Sequence, residues 1–299
     1  MIRRILDLLG LAPYPKHPSV GRLKDFSLGL NCHVNMTYFS EIRAAGFDTV
    51  LLDVVEGYDP GRLFEAAKSA GLKIFITGFD DSVEKKAGPL FRLHGEYIDY
   101  CAVRNEPDLA RFYSGSLEQF ADEIRVVADL KSEHAPHVKI VAPCFSSLGS
   151  SARPGWRDKR SLIDRLGRIL GADRGKIDIL GHHVYKDTPD EVGRYVRTLR
   201  EWYRAAGFQQ PIYISETGWR SKKIGEEKQA TYLANVLAQL SRLSGVCGAG
   251  IYEAQDDPPG SYGLRRGDGR EKKSWERVRR CLRANGSSTA TSTTTGLQP

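Results

Sequence analysis

The sequence predicts an α/β protein, a single (β/α)8 (TIM) barrel, on three observations. Eight short apolar runs alternate with longer amphipathic stretches. A glycine repeatedly marks a helix end just before a strand, as in "AAGF", "SAGLK" and "AAGFQQPIYI". No G-x-G-x-x-G or G-x-x-x-x-G-K-[ST] loop follows any strand. The runs suit parallel strands buried on both faces. The glycines supply left-handed geometry without a Cβ cost where a helix must stop. The missing phosphate loops argue against nucleotide and dinucleotide folds. Eight repeats in 299 residues favour a closed barrel over an open doubly wound sheet.

Each element follows in order. Strands are expected at 26–31 "FSLGLN", 48–54 "DTVLLDV", 73–79 "KIFITGF" and 97–103 "YIDYCAV". They continue at 139–145 "KIVAPCF", 177–185 "IDILGHHVY", 211–217 "PIYISET" and 249–255 "AGIYEAQ", all drawing on Val, Ile, Phe and Tyr. Helices are expected at 37–45, 60–70, 116–133, 160–170, 189–206 and 226–243, with a less regular pattern at 82–95 and a closing helix at 271–284. The barrel occupies 26–284, after an N-terminal extension at 1–25; the Ser/Thr-rich end, 285–299, reads as a disordered tail.

Composition narrows the class. Charged residues make up 27% and hydrophobic ones 40%, as in ordinary globular proteins. The net charge of +7 is spread along the chain, which reads as a solvated basic surface and not a nucleic-acid face. Five scattered cysteines without a C-x-x-C pair argue against a zinc site or a disulfide framework and suit a reducing compartment. No apolar run is long enough to span a bilayer. The start, "MIRRILDLLGLAP", imitates an export signal, but Asp7 interrupts its short apolar segment, which favours a cytoplasmic protein over a secreted one.

Barrel chemistry collects where strands end. Those ends offer His33, Asp53, Asp80 and Asp81, Asn105 and Glu106, Ser146, His182, His183 and Tyr185, Glu216 and Trp219, then Tyr252, Glu253, Asp256 and Asp257. Glu106 and Glu216 lie 110 residues apart, a reasonable span for three repeats, so closure would bring both over one cavity. Two facing carboxylates suit glycoside hydrolysis: one protonates the leaving oxygen and the other meets the anomeric carbon. Their proton affinities must then differ. Asn105 is placed to bond a sugar 2-hydroxyl. His182 reads as a packed histidine, Trp219 as either core or sugar platform, and Asp256 and Asp257 as either loop caps or substrate contacts. Asp80 and Asp81 read as mouth-lining residues. No metal and no cofactor is implied.

"RNEPD" (104–108) and "ISETGW" (214–219) resemble the clan A retaining glycoside hydrolases, and "GHHVY" (181–185) is similar to that clan's His-x-Tyr on strand six. The resemblance covers about 26–284. It implies that Glu106 is the acid/base and Glu216 the nucleophile, that Tyr185 bonds the nucleophile, and that His183 positions the pair or the sugar. "SETGW" is similar to plant-type β-1,3-glucanases, and the eighth-strand segment to bacterial members of the clan. Two departures stand out. Strand two lacks the clan's arginine, for which Arg104 or Arg220 could substitute. Strand eight carries Tyr252 and Glu253 where relatives place tryptophan, and Glu253 would raise its neighbours' pKa if it faced the pocket. Asn105, His183, Tyr185, Trp219, Tyr252 and Asp256 are thus the expected substrate-binding residues, and the expected partner is a carbohydrate. The alternatives are a catalytically weak carbohydrate-binding barrel and a metal-dependent barrel hydrolase.

Overall fold

The computed structural model describes residues 26–33, 38–53, 59–79, 83–147, 151–257 and 260–283. The expected extension at 1–25, the tail at 285–299, and Asp80 and Asp81 lie outside the described residues.

Eight parallel strands pair in chain order and close on themselves: β1 (Ser27–Cys32), β2 (Thr49–Leu52), β3 (Lys73–Ile76), β4 (Tyr100–Ala102), β5 (Lys139–Ser146), β6 (Ile179–His183), β7 (Ile212–Thr217) and β8 (Val246–Ile251). The closing register sets Leu28 of β1 opposite Ala249 of β8. Around the barrel, among the described residues, run α1 (Phe39–Ala45), α2 (Gly61–Ser69), α3 (Val83–His94), α4 (Leu117–His134), α5 (Lys159–Leu170), α6 (Pro189–Ala205), a short α7 (Ser221–Ile224), α8 (Glu226–Leu240) and α9 (Lys273–Arg283). None is long and apolar enough to cross a membrane.

Strand periodicity splits the core in two. Leu51, Phe75, Ala102, Val141, Cys144, Ile179 and Tyr213 fill the barrel interior, while Val50, Leu52, Ile74 and Ile76 face the helices. Phe75 and Tyr213 meet at 5.3 Å between ring centroids. Gly248 makes room for that tyrosine: a Cβ there would come within 2.2 Å of the Tyr213 ring.

The strand entries are fastened by a repeated device. Asp48, Asp99 and Asp178 precede β2, β4 and β6, and each accepts a backbone N–H from the preceding strand. The donors are Leu28 at 2.9 Å, Ile74 at 2.8 Å and Ile140 at 2.9 Å.

Some boundaries differ from those read off the sequence. β8 begins at Val246 and stops at Ile251. The chain after it leaves the sheet to line the mouth, with Ala254 N–H donating to the Asn31 carbonyl at 2.8 Å. β4 is shorter than 97–103 because Gly95–Tyr97 forms a 3-10 turn. The irregular 82–95 pattern is a full helix, α3, despite Pro89 inside it. Its buried Val83, Ala87, Leu90 and Phe91 compensate for the hydrogen bond that proline removes. α7 had no signal beyond four polar-leaning residues.

Candidate active site

The mouth of the barrel is built from short segments just beyond the strands. The β4 exit carries Glu106 on a backbone with φ 42°, a left-handed conformation that a non-glycine residue holds only when its surroundings enforce it. The neighbouring Pro107 and Asp108 supply that enforcement. Asp108 is wholly buried, accepts the Ser146 N–H at 2.8 Å and pairs with the buried Lys159 of α5. The Leu109 N–H closes a turn onto the Glu106 carbonyl at 2.9 Å. From the other side Gly78 (φ 135°) lets the β3 exit approach. A Cβ there would sit 2.7 Å from the Asn105 backbone nitrogen.

Glu216 projects from β7 toward the same point. His183, the last residue of β6, lies between the two carboxylates, its Nδ1 3.1 Å from Glu106 Oε1 and 3.3 Å from Glu216 Oε2. The Tyr185 hydroxyl donates to Glu216 Oε2 at 2.7 Å. One oxygen of each glutamate and the histidine nitrogen all fall within 4.8 Å of one another. Barrel closure therefore brings together the two carboxylates expected from the sequence, with His183 and Tyr185. His182 points the opposite way, as alternation in a strand demands. It is buried, neutral, and 3.5 Å from the Tyr203 hydroxyl.

The electrostatics are those of a shared charge. Burial opposes protonation of His183, but Glu216 and Glu106 outweigh it and raise its pKa to about 9. Burial pushes Glu106 up, yet His183, Ser146 and Arg111 together hold it below the usual carboxylate range. Glu216 is raised, first by burial and then by the Glu106 charge, with His183 and Tyr185 offsetting only part. Burial and the Glu106 charge thus push Glu216 up while His183 holds Glu106 down, directions opposite to the order that the family resemblance implies. The two carboxyls titrate as one coupled system.

The remaining expected residues have distinct fates. Asn105 has a buried side-chain oxygen without a hydrogen-bond partner, an acceptor a sugar hydroxyl would satisfy. Tyr252 packs edge-on against Tyr185 and Tyr262, with centroids at 6.4 and 5.5 Å. Trp219 is buried, and its Nε1–H donates to the Lys186 and Asp187 carbonyls at 2.8 and 3.2 Å. It pins the β6–α6 loop, leaving only part of the indole for a sugar. Asp256 accepts from Lys272 Nζ at 2.7 Å and the Gly263 N–H at 2.8 Å, so its carboxylate caps the loop after β8. Arg104 does not supply the missing strand-two charge: it is buried, and its guanidinium forks onto Glu123 of α4 at 2.9 and 2.6 Å.

Sequence reasoning passed over a second charged cluster. His33 Nε2 lies 2.8 Å from Glu253 Oε2, and its Nδ1 lies 3.6 Å from Asp53 Oδ2; the Thr77 hydroxyl donates to Asp53 Oδ1 at 2.5 Å. The Asp53 and Glu253 carboxylates, which accept from the ring or lie beside it, raise the His33 pKa to about 10. Strand one therefore sets His33 between the Asp53 carboxylate beyond β2 and the buried Glu253 carboxylate beyond β8. The clue was present as His33, Asp53 and Glu253 at three strand ends, but β1 and β8 meet only on closure.

Glu106, His183 and Glu216 also offer one ligand atom each to a possible divalent cation. That role would require a neutral His183, whereas its two carboxylate neighbours favour the protonated ring.

No family model matches the chain, and no curated protein matches it. Solved structures do. A family 39 glycoside hydrolase from Bacteroides cellulosilyticus WH2 superposes with a TM-score of 0.64 at 20% identity, covering 91% of this chain and 66% of its own. A glucosidase from Croceicoccus marinus gives 0.71 at 14% identity, covering 89% and 69%. A family 128 (subgroup II) endo-β-1,3-glucanase from Pseudomonas viridiflava gives 0.64 at 17% identity, covering 87% and 97%. The chain thus spans 66% of the family 39 enzyme and nearly all of the family 128 enzyme. At these identities the likeness shows the fold: a closed eight-stranded parallel barrel whose structural neighbours are glycoside hydrolases of families 39 and 128.

Proposed function

We propose that the protein is a retaining glycoside hydrolase that cleaves β-glycosidic bonds in a polysaccharide or oligosaccharide. The observation that carries this reading is the convergence of Glu106 and Glu216, with oxygens within 4.8 Å, over one mouth. Direct attack by a carboxylate needs a separation of about 5–5.5 Å, whereas an intervening water needs about 6.5–9.5 Å. In the first step Glu106 gives its proton to the departing glycosidic oxygen while Glu216 attacks the anomeric carbon. In the second, water attacks that carbon, Glu106 takes the water's proton, and Glu216 leaves. The chemistry starts with one proton on the carboxyl pair. A positive charge growing at the anomeric carbon favours ionised Glu216, and a leaving oxygen beside Glu106 favours its protonated form. Substrate would thereby oppose both resting shifts. The Tyr185 phenol supports charge on Glu216. The neighbours' printed activities, glucosidase and endo-β-1,3-glucanase, make β-glucans the first substrates to test.

The deciding experiment uses activated aryl β-glycosides. Glu216→Ala is expected to abolish turnover, with azide restoring part of it and giving a glycosyl azide of inverted configuration. Glu106→Ala with azide is expected to give the retained configuration. The opposite pairing of products would exchange the two roles, and full activity in Glu216→Ala would remove the reading.

The grouping of Glu106, His183 and Glu216 also favours a second reading, a metal-dependent barrel hydrolase. Wild-type hydrolysis unchanged by chelator is the expected outcome; loss with chelator and recovery with a divalent cation would favour the metal. Sugar binding without turnover would instead indicate a carbohydrate-binding barrel.

A further inference from the structure

Beside the carboxylate pair lies a cavity of about 630 Å³, walled by the β6–α6 loop, the β7 exit, the start of α8 and Tyr262. Tyr185 joins it to the catalytic carboxylates, since its ring lines the cavity and its hydroxyl donates to Glu216. The rest of the wall is unusually cationic. Lys186, Arg220, Lys223 and Lys228 all line it, against Asp187 and Glu191. Glu191 is occupied by the cap of α6, accepting the Thr188 N–H at 3.0 Å. Asp187 lies 3.8 Å from Lys223, with both side chains largely in solvent. The acids that open α8 turn elsewhere, Glu226 to Arg266 and Glu227 to Lys273 and Arg277.

Among the described residues, then, no carboxylate comes within ion-pair distance of Lys186, Arg220 or Lys228. Each instead lies over a tyrosine face: Lys186 over Tyr195 at 4.0 Å, Arg220 over Tyr262 at 5.2 Å and Lys228 over Tyr232 at 5.3 Å. Burial already lowers the pKa of Lys186. Four cations against two acids leave this concavity with a net positive potential, to which half-buried Lys186 and the exposed Arg220, Lys223 and Lys228 contribute. A neutral sugar gains nothing from that potential, whereas an anionic one is drawn to it. Tyr185, Tyr232 and Tyr262 add an aromatic component to the lining, which suits a sugar unit better than a bare phosphate backbone.

We propose that this cavity is a subsite for a sugar unit bearing a carboxylate, sulfate or phosphate, adjoining the cleavage point, so that the preferred substrate is an acidic polysaccharide. The inference rests on the glycosidase reading for its position along the substrate, but not for its charge preference.

The test compares a β-glucan with partly C6-oxidised and C6-sulfated forms of the same polymer. Reducing-end release is measured with wild type, and binding by calorimetry with Glu216→Gln, which needs no turnover. Wild type is expected to show a KM at least about tenfold lower for one anionic polymer than for the parent. The better anionic polymer identifies carboxylate or sulfate as the preferred group. That preference should fall toward unity in a triple Arg220→Gln, Lys223→Gln, Lys228→Gln variant and in high salt. Equal KM for neutral and anionic polymers overturns the proposal, as does a preference that survives the triple variant. Equally tight binding of single-stranded DNA of matched charge density also overturns it. Anionic polymer bound through these cations but never cut would remove the glycosidase reading and keep the subsite. Neutral polymer cut equally well would do the reverse.

Discussion

Glu106 is held by neighbours buried beneath the mouth of the barrel. Its strained backbone depends on Asp108, and Asp108 depends on Lys159, with both members of that pair buried. Removing one partner strands the other's charge, so Asp108→Ala is expected to cost about 3–5 kcal/mol. Adding Lys159→Met should recover much of this, while activity stays low because Glu106 loses its support. Chemical denaturation of both variants checks this; an undiminished midpoint in Asp108→Ala would show that the pair is idle. Residue-level placement was legible where a short motif coincided with a strand end, as for Glu106, His183, Tyr185 and Glu216, which converge in the structure. It was illegible where partners are set by closure. His33 and Glu253 stand 220 residues apart and meet through their side chains. The fate of Trp219 likewise turned on two loop carbonyls that no pattern announces.

At the level of elements, α6 begins with a reciprocal cap in which the Thr188 hydroxyl accepts the Glu191 N–H at 3.3 Å and Glu191 returns the contact at the Thr188 N–H. That cap fixes the Lys186–Thr188 segment, which Trp219 grips from β7. Thr188→Ala is expected to lower stability by about 1 kcal/mol. Thermal melts measure the loss, and an unchanged melt would mean the helix start is held by Trp219 alone. All eight expected helices and all eight strands appear near their predicted places, because periodicity and glycine stops are local properties. The boundaries that moved were governed by distant partners. β8 ends early because Asn31 recruits the segment after it, and α3 survives Pro89 because tertiary burial outweighs one lost bond.

The whole molecule carries its histidine charges where folding created them. His183 and His33 have pKa values raised to about 9 and about 10 from 6.5. A raised value means that the folded state binds the proton more tightly. The associated stability is therefore complete below about pH 6.5 and is lost as pH climbs toward 10. Unfolding midpoints are expected to fall between pH 7 and 10, with a shallower fall in His33→Gln. Midpoints that rise over that interval would refute the charged assignment.

The aspartate fastenings at the strand entries have a different consequence. They join β1 to β2, β3 to β4 and β5 to β6, so the floor of the barrel is stitched in couples. The final couple lacks the stitch: the Ile212 N–H goes to the main-chain oxygen of Gly245 at 2.8 Å. Amide-hydrogen exchange under native conditions should therefore register the last two staves loosening before the other six. The strand that carries Glu216 would then be one of the two that breathe.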